Sequence, residues 1–389
     1  MMQLFINGWA ASAGGGLTYL RNLIPQLSRT PEVACAVLLN PALRGEFDNL
    51  PNVTVVNTCE IRGALRRFVN EQTGIPSLIR RHGGQVLIST GNFAIRSSPV
   101  PQVLLSRNSL YLSADFKRDA RSRGDYALWA DTIVKGWLAR RSIRWADATV
   151  APSAAFAAEL KQWSGRDVIA IHHGFDVDAF NADPAPLPLK TQELLQEGGD
   201  ALRLLFVSHY NYYRNFETLF RTIPILKRRL EKERVKLYLT CVLDSRENPG
   251  AYQAEAAASM ARELLAGRDI VELGSIPYRS LHHLYRACHI YVTPAYAESF
   301  AHPLVEAMSC GLPVAASDLA VHREICGDAA LYFPRFSPER LADAVLRIHL
   351  SPDLACELRE KALARSREFS WKEHTERLLA LSKSLVAAG

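Results

Sequence analysis

Cysteine is scarce and unpatterned in this 389-residue chain. The seven residues (Cys35, Cys59, Cys241, Cys288, Cys310, Cys326 and Cys356) are odd in number and form no CxxC pair. That excludes a disulfide framework and a zinc ribbon, and the thiols read as small buried side chains of a reduced, cytoplasmic protein. Long apolar runs are missing, so no stretch is expected to span a bilayer. The opening MMQLFINGWA has no basic segment followed by an apolar one, so no secretory leader is expected. There is no G-x-G-x-x-G, no loop ending in Gly-Lys-Ser/Thr, no DxD-type pair with a supporting site, and no histidine pair at ligand spacing. Neither a metal nor a resident cofactor is expected.

Other properties are present in ordinary measure. Hydrophobic residues make up 48% and charged residues 22%, enough to bury a large core in a chain too long for one typical domain. The net charge of +6 is uneven: residues 1–170 hold 20 Lys/Arg against 12 Asp/Glu, and the remainder 26 against 28. The first part is therefore the basic one. An anionic partner and a solvated basic surface account for this equally well. Nucleic acid is not the expected partner, because the excess is modest and no recognition motif occurs.

Short β-like runs alternate with amphipathic helical stretches, the pattern of parallel α/β sheets. Gln3–Asn7, Val33–Leu39, Val53–Val56, Val86–Ser89, Gln102–Leu105 and Ala148–Val150 read as strands of a first domain, residues 1–180. A loop from Gly8 to Gly16 and a helix from Leu17 to Leu27 follow the first strand. Residues 181–200, with Pro184, Pro186, Pro188 and Gly198–Gly199, read as a linker. A second series spans 201–370, with strands at Arg203–Ser208, Lys236–Val242, Ile270–Glu272, Ile290–Thr293 and Pro313–Ala316. A last helix begins at Trp371. Two such series imply two Rossmann-like domains, with the active site expected in a cleft between them.

The segment most charged with chemistry runs from Glu298 to Glu306. Ala295–His302 reads as a loop at the carboxyl end of a strand. Pro303 suits the first helical position and Gly311 the position just past the end, so a short helix is expected from about Pro303 to Cys310. The start of that helix offers backbone N–H groups and a positive dipole end to an anion such as a diphosphate. Glu306, one turn in, can accept hydrogen bonds from ribose hydroxyls, and Glu298 from a bound sugar. On the residues alone, a glutamate near a helix start is usually a capping or dipole effect.

The spacing Glu298-x7-Glu306 followed by AMSCGLPVAASD resembles the retaining glycosyltransferases of family 4, the glycosyl transferases group 1. LGSIPYRSLHHLYRACHIYVTPAYAESF resembles the run leading into that family's paired glutamates. HHGFDVDAF resembles its domain-junction motif, and Phe369–Trp371 the start of its last helix. The resemblance is strong over about residues 200–389 and weaker before. It implies an α/β GT-B fold: two Rossmann-like domains facing across a cleft, with residues 371–389 crossing back to the first. It also implies a nucleotide-sugar donor and a glycan or lipid-linked acceptor.

The resemblance assigns roles residue by residue. Ser208–His209 stand where the family usually has Gly-Arg, and Arg214–Asn215 where it has a Lys-Asn pair. Arg214 can hold phosphate oxygens bidentately. His209 adds a hydrogen bond when neutral and a charge when protonated, so donor affinity is expected to weaken at alkaline pH. Glu298 and Arg214 are the catalytic candidates. Phe300, Ala301, His302 and Leu304 supply backbone contacts to phosphate and sugar, and Glu306 holds the ribose. Gly15 and Gly16 match the family's glycine-rich first loop, with a flexible turn as the alternative. Arg107–Asn108 occupy the place of an acceptor-side His-Asp pair; Arg107 binds an anion or serves as an ion-pair residue. Residues 117–145 interleave basic residues with Trp129, Trp137, Leu138 and Trp145. A core helix with a basic outer face is the favoured reading, and peripheral contact with an anionic membrane at its inner face the other. The rival functions are a GT-B sugar-nucleotide epimerase and a non-catalytic sugar-nucleotide-binding subunit.

Overall fold

The computed structural model describes residues 1–11, 14–43, 45–58, 63–231, 234–244, 259–260, 262 and 269–388. Cys59 and residues 12–13 of the expected glycine loop lie outside them. The chain divides into two compact units. One comprises Met1–Leu112, Asp131–Gly174 and Ser370–Gly389; the other Ser113–Ala130 and Phe175–Phe369. No helix among the described residues is long and apolar enough to cross a membrane.

The first unit is built on strands β1 (Met2–Gly8), β2 (Val33–Leu39), β3 (Val53–Val56), β4 (Val86–Ser89), β5 (Gln102–Leu105), β6 (Ala148–Ala151) and β7 (Ile169–Ala170). They form one sheet in the order β3-β2-β1-β4-β5-β6-β7, and its paired neighbours run parallel. The strands are apolar almost throughout because helices cover both faces. Alternation along β1 divides the core: Leu4 and Ile6 belong to one apolar cluster and Phe5 to the other. The C-terminal helix, Trp371–Ala388, joins the cluster of Leu4 and Ile6 through Trp371, Leu378 and Leu379. That is the return to the first domain which the resemblance implied. Gly174 permits it, since a Cβ there would lie 2.1 Å from the Trp371 backbone nitrogen.

Two expectations are corrected in detail. The three glycines at 14–16 are not a loop but the first turn of the Gly14–Ser28 helix. Glycine is a poor helix former by roughly 1 kcal/mol per residue against alanine. The burial of Leu20, Leu23, Ile24 and Leu27, all fully covered, outweighs that at about 1.5–3 kcal/mol each. Nor is 181–200 an extended linker. It includes the end of one helix, Val177–Ala182, and a second, Leu189–Glu197, both in the second unit. The prolines punctuate these helices: Pro184 and Pro186 lie between them and Pro188 caps the second. Phe180, Thr191 and Leu195 are buried. The chain changes unit at Gly174–Phe175 instead.

The second unit contains β8 (Leu202–Phe206), β9 (Val235–Leu239), β10 (Ile270–Glu272), β11 (Ile290–Thr293), β12 (Val314–Ser317) and β13 (Ala330–Phe333). The sheet order is β10-β9-β8-β11-β12-β13, again parallel. The order reverses between β8 and β11, which pair with Ile290 opposite Leu204. Such a reversal opens a crevice at the carboxyl ends of the two strands, where ligands of open α/β sheets bind.

Candidate functional site

The loops after β8 and β11 are the two that leave this switch point. The first carries Ser208, His209, Arg214 and Asn215; the second carries Glu298, Phe300 and Ala301. Parallel pairing of β8 with β11 brings together residues 84 apart, and Arg214 Nη1 donates to Glu298 Oε1 in a charge-assisted hydrogen bond. Both side chains are largely covered, at 15% and 13% exposure. The guanidinium also lies over the Tyr213 ring, 4.6 Å from its centroid. Burial alone would weaken its hold on the proton, but the Glu298 carboxylate reverses this, and its pKa is raised. Arg214 Nε is buried and has no hydrogen-bond partner among the described residues.

Asn215 adopts the left-handed conformation, φ 57°, and starts the Phe216–Leu230 helix. Its amide donates to the carbonyls of Pro294 (3.0 Å) and Arg335 (2.6 Å). It thus ties the two switch-point loops together, and its donors are occupied within the fold. Ser208 is anchored likewise: its N–H donates to Thr240 Oγ1 at 3.0 Å and its hydroxyl to the His209 carbonyl at 3.0 Å. His209 is exposed at one edge. Desolvation on its covered side and the Arg214 charge hold its pKa below the usual value. The imidazole is therefore neutral near pH 7 in the free protein, which favours the hydrogen-bonding alternative over the charged one.

The second loop leads into the helix His302–Ser309, with Pro303 in its first turn and Gly311, φ 66°, just past its end. Ala301 precedes it at φ 68°, a conformation that costs a residue with a Cβ about 1 kcal/mol. The Leu304 N–H is occupied, donating to the Ala301 carbonyl at 3.0 Å, and Pro303 has none. Phe300 is buried edge-on against Phe369, ring centroids 5.5 Å apart.

Glu306 is buried, and its Oε2 accepts a 2.8 Å hydrogen bond from the Tyr285 hydroxyl. Desolvation pushes its pKa up to about 7, against the opposing effect of that hydrogen bond. A free carboxylate ready for two ribose hydroxyls was expected; one of its oxygens already has a phenol on it.

Two residues that sequence reasoning missed complete the surroundings. Tyr285 is one. The other is His322, fully buried, whose Nδ1 lies 3.0 Å from Ser317 Oγ and 3.1 Å from the Ser317 carbonyl. A carbonyl only accepts, so Nδ1 carries the proton and Nε2 is left a bare acceptor. Nε2 is buried with no partner among the described residues. Burial drives the His322 pKa down to about 4, opposed by Glu298 and assisted by Arg214. A single histidine or tyrosine in a helical stretch gives no signal of either position.

In the first unit, Arg107 and Asn108 follow β5. Arg107 donates to the carbonyls of Thr90 (2.6 Å) and Gly15 (3.3 Å), and its guanidinium lies 4.7 Å from the Tyr19 ring centroid. Its partners are carbonyls and a ring, and among the described residues it makes no ion pair; the ion-pair alternative is corrected. Burial lowers its pKa, with Tyr19 opposing. A Cβ on Gly16 would sit 3.8 Å from Arg107 Nη2, and one on Gly15 would meet nothing. The start of the Gly14–Ser28 helix and this arginine are thus neighbours. Asn108 caps the turn Ser109–Tyr111 by accepting from Leu110 N–H at 3.0 Å.

Residues 191–367 match the family model for glycosyl transferases group 1. A D-inositol 3-phosphate glycosyltransferase from Saccharomonospora viridis is 30% identical over 196 residues, covering 49% of this chain and 44% of that protein. The O-antigen chain mannosyltransferase B of Escherichia coli is 33% identical over 114 residues, 29% of this chain and 30% of that protein. These matches take in less than half the length of either relative. A sucrose-phosphate synthase from Thermosynechococcus elongatus superposes with a TM-score of 0.78 at 18% identity, covering all of both chains. That likeness is one of fold, and the two parallel α/β sheets are those of the GT-B class.

Proposed function

We propose, from the match of residues 191–367 to the glycosyl transferases group 1 model, that the chain is a retaining, metal-independent glycosyltransferase. It moves a hexose from a nucleoside-diphosphate sugar, GDP-mannose or a UDP-sugar, to a glycan or lipid-linked acceptor. The observation that carries this reading is the meeting of Arg214 with Glu298 at the switch point, on the loop that enters the His302–Ser309 helix. As the bond from the sugar to the diphosphate breaks, negative charge grows on the leaving oxygen. A buried guanidinium and a helix start supply fixed positive charge there, at no cost of reorganisation. Glu298 orients the sugar while holding Arg214. Glu306 takes a ribose hydroxyl on Oε1, since Tyr285 fixes Oε2. His209 adds a neutral hydrogen bond. On the first unit, Gly15 and Gly16 are further donor-contact candidates, and Arg107 suits an anionic acceptor or the diphosphate.

Mannose as the sugar and inositol 3-phosphate or an O-antigen chain as the kind of acceptor are supported only by the names of two relatives, a D-inositol 3-phosphate glycosyltransferase and an O-antigen chain mannosyltransferase. A peripheral place at the cytoplasmic face of the inner membrane goes with a lipid-linked acceptor. A thermal-shift panel of UDP, GDP and ADP and their sugars tests the donor: one nucleotide is expected to stabilise the protein well above the others. Slow hydrolysis of that donor, lost in Glu298→Ala, is expected of an enzyme. Tight binding without turnover on any acceptor would make the chain a non-catalytic binding subunit instead.

A further inference from the structure

The helix Tyr126–Trp145 has its large and small side chains on the opposite faces from an ordinary surface helix. Within residues 131–145 its buried positions are Thr132, Gly136, Ala139, Ser142 and Ile143, four of them small. Its exposed positions include Ile133 (42%), Val134 (59%) and Trp137 (57%). The inner face is covered and the outer face basic, as the core-helix expectation has it, and the outer face carries apolar side chains as well. Arg140, Arg141 and Arg144 continue it, all exposed. The spacing 133, 134, 137, 140, 141, 144 places these six side chains on one side of the helix. Arg141 lies over the Trp137 ring at 5.2 Å. Among the described residues none of the three arginines makes an ion pair. Asp131 at the beginning of the stretch is paired with Lys135 at 2.7 Å.

We propose that this face, Ile133 to Arg144, docks on an anionic lipid membrane. The charge argues for lipid as the occupant. Three uncompensated arginines beside a protein partner would need three matching carboxylates, whereas a headgroup layer offers negative charge at every position. An indole belongs at that boundary, with its ring in the acyl edge and its N–H toward water. Arginine stems lie along the apolar surface while their heads reach the phosphates. Ile133 and Val134 enter the acyl edge, as in helices that lie in the interface plane. The proposal rests on the peripheral-membrane reading above and not on the transfer chemistry.

Co-sedimentation of the full chain with vesicles, without nucleotide, tests it. Binding is expected to vesicles of phosphatidylcholine mixed with phosphatidylglycerol, to weaken with added salt, and to be much poorer on phosphatidylcholine alone. Each arginine is expected to be worth about fivefold in partitioning, so a triple Arg140→Gln, Arg141→Gln, Arg144→Gln variant loses on the order of 100-fold. A second variant, Ile133→Ser with Val134→Ser and Trp137→Ser, is expected to lose binding with an unchanged melting temperature, since these side chains are exposed. Failure of the wild-type chain to bind anionic vesicles overturns the membrane reading altogether. Binding retained in both variants overturns this face alone. Self-association abolished by the serine variant, without vesicle binding, assigns the face to a second copy of the chain and overturns the proposal.

Discussion

The Arg214–Glu298 pair invites the sharpest test, because both partners are covered and the arginine has few other outlets for its charge. Glu298→Ala leaves a guanidinium that is 15% exposed without its carboxylate and with an Nε already unpartnered. Breaking a buried pair from one side costs about 3 kcal/mol or more, most of it the penalty of the stranded charge. For a domain of this size that corresponds to a fall in Tm of roughly 6–12 °C. Arg214→Ala removes the guanidinium and strands in turn a carboxylate that is 13% exposed. The double variant removes both charges and is expected to recover about 1.5–3 kcal/mol relative to the sum of the singles. A diphosphate should substitute for the missing carboxylate. Glu298→Ala is therefore expected to gain more Tm from a nucleoside diphosphate than the wild type does, while losing turnover; Arg214→Ala is expected to lose both. Denaturant melts of the four proteins, with and without the nucleotide, measure all of this. Additivity within about 0.5 kcal/mol would refute the coupling, and equal nucleotide stabilisation of the wild type and Glu298→Ala would refute the arginine's role as the phosphate grip.

Three further outcomes follow from single observations. The Glu306 pKa, raised to about 7 from 4.5, means that the folded state binds more protons than the unfolded one between those values. Stability contributed by this group therefore falls as pH rises through that window; Glu306→Gln is expected to gain on the order of 3 kcal/mol over the wild type by pH 8 and nothing at pH 4, read from urea midpoints at each pH. The His209 imidazole, held below its usual pKa, is already neutral at pH 7, so the donor KM is expected to stay flat from pH 7 to 9; a steep rise with pH would restore the charged alternative. Gly174→Ala places a Cβ 2.1 Å from the Trp371 nitrogen, a clash with backbone that cannot rotate away, and is expected to cost 3 kcal/mol or more and to expose the Trp371–Ala388 helix to limited proteolysis.

What the sequence revealed and what it hid divide along a physical line. Strands that are buried on both faces are continuous apolar runs, so β2, β4, β5 and β11 were legible to the residue, and the bounds of the edge strands β3 and β10 were legible too. The helix expected at Pro303–Cys310 was legible to within one residue at each end, where it runs His302–Ser309, since Pro303 and Gly311 mark its ends by backbone rules that hold in any context. Gly14–Gly16 misled because propensity is local and the burial that overrides it is not. The prolines of 181–200 misled because a proline ends one helix as readily as it begins the next. Glu298 and Arg214 were each visible, but not that they bond to one another. Eighty-four residues separate them, and only the pairing of β8 with β11 at the reversal of strand order closes that distance.

The same line explains why the candidate site is partly occupied by its own fold. Sequence assigns a residue the chemistry of its side chain; structure decides how much of that chemistry remains for a ligand. Asn215 has given its amide to two carbonyls, Leu304 its N–H to Ala301, and Glu306 one oxygen to Tyr285. Each of these bonds fixes a loop or a rotamer and leaves fewer groups to be ordered when a ligand arrives, which is how a polar site is preorganised. Arg214 is the exception that gives the arrangement its chemistry. Its partner is a carboxylate, the one kind of group that a diphosphate can replace charge for charge. The residues spent on the fold hold the crevice open at the ends of β8 and β11, and the ion pair between its two loops is the element whose electrostatics an incoming anion would change.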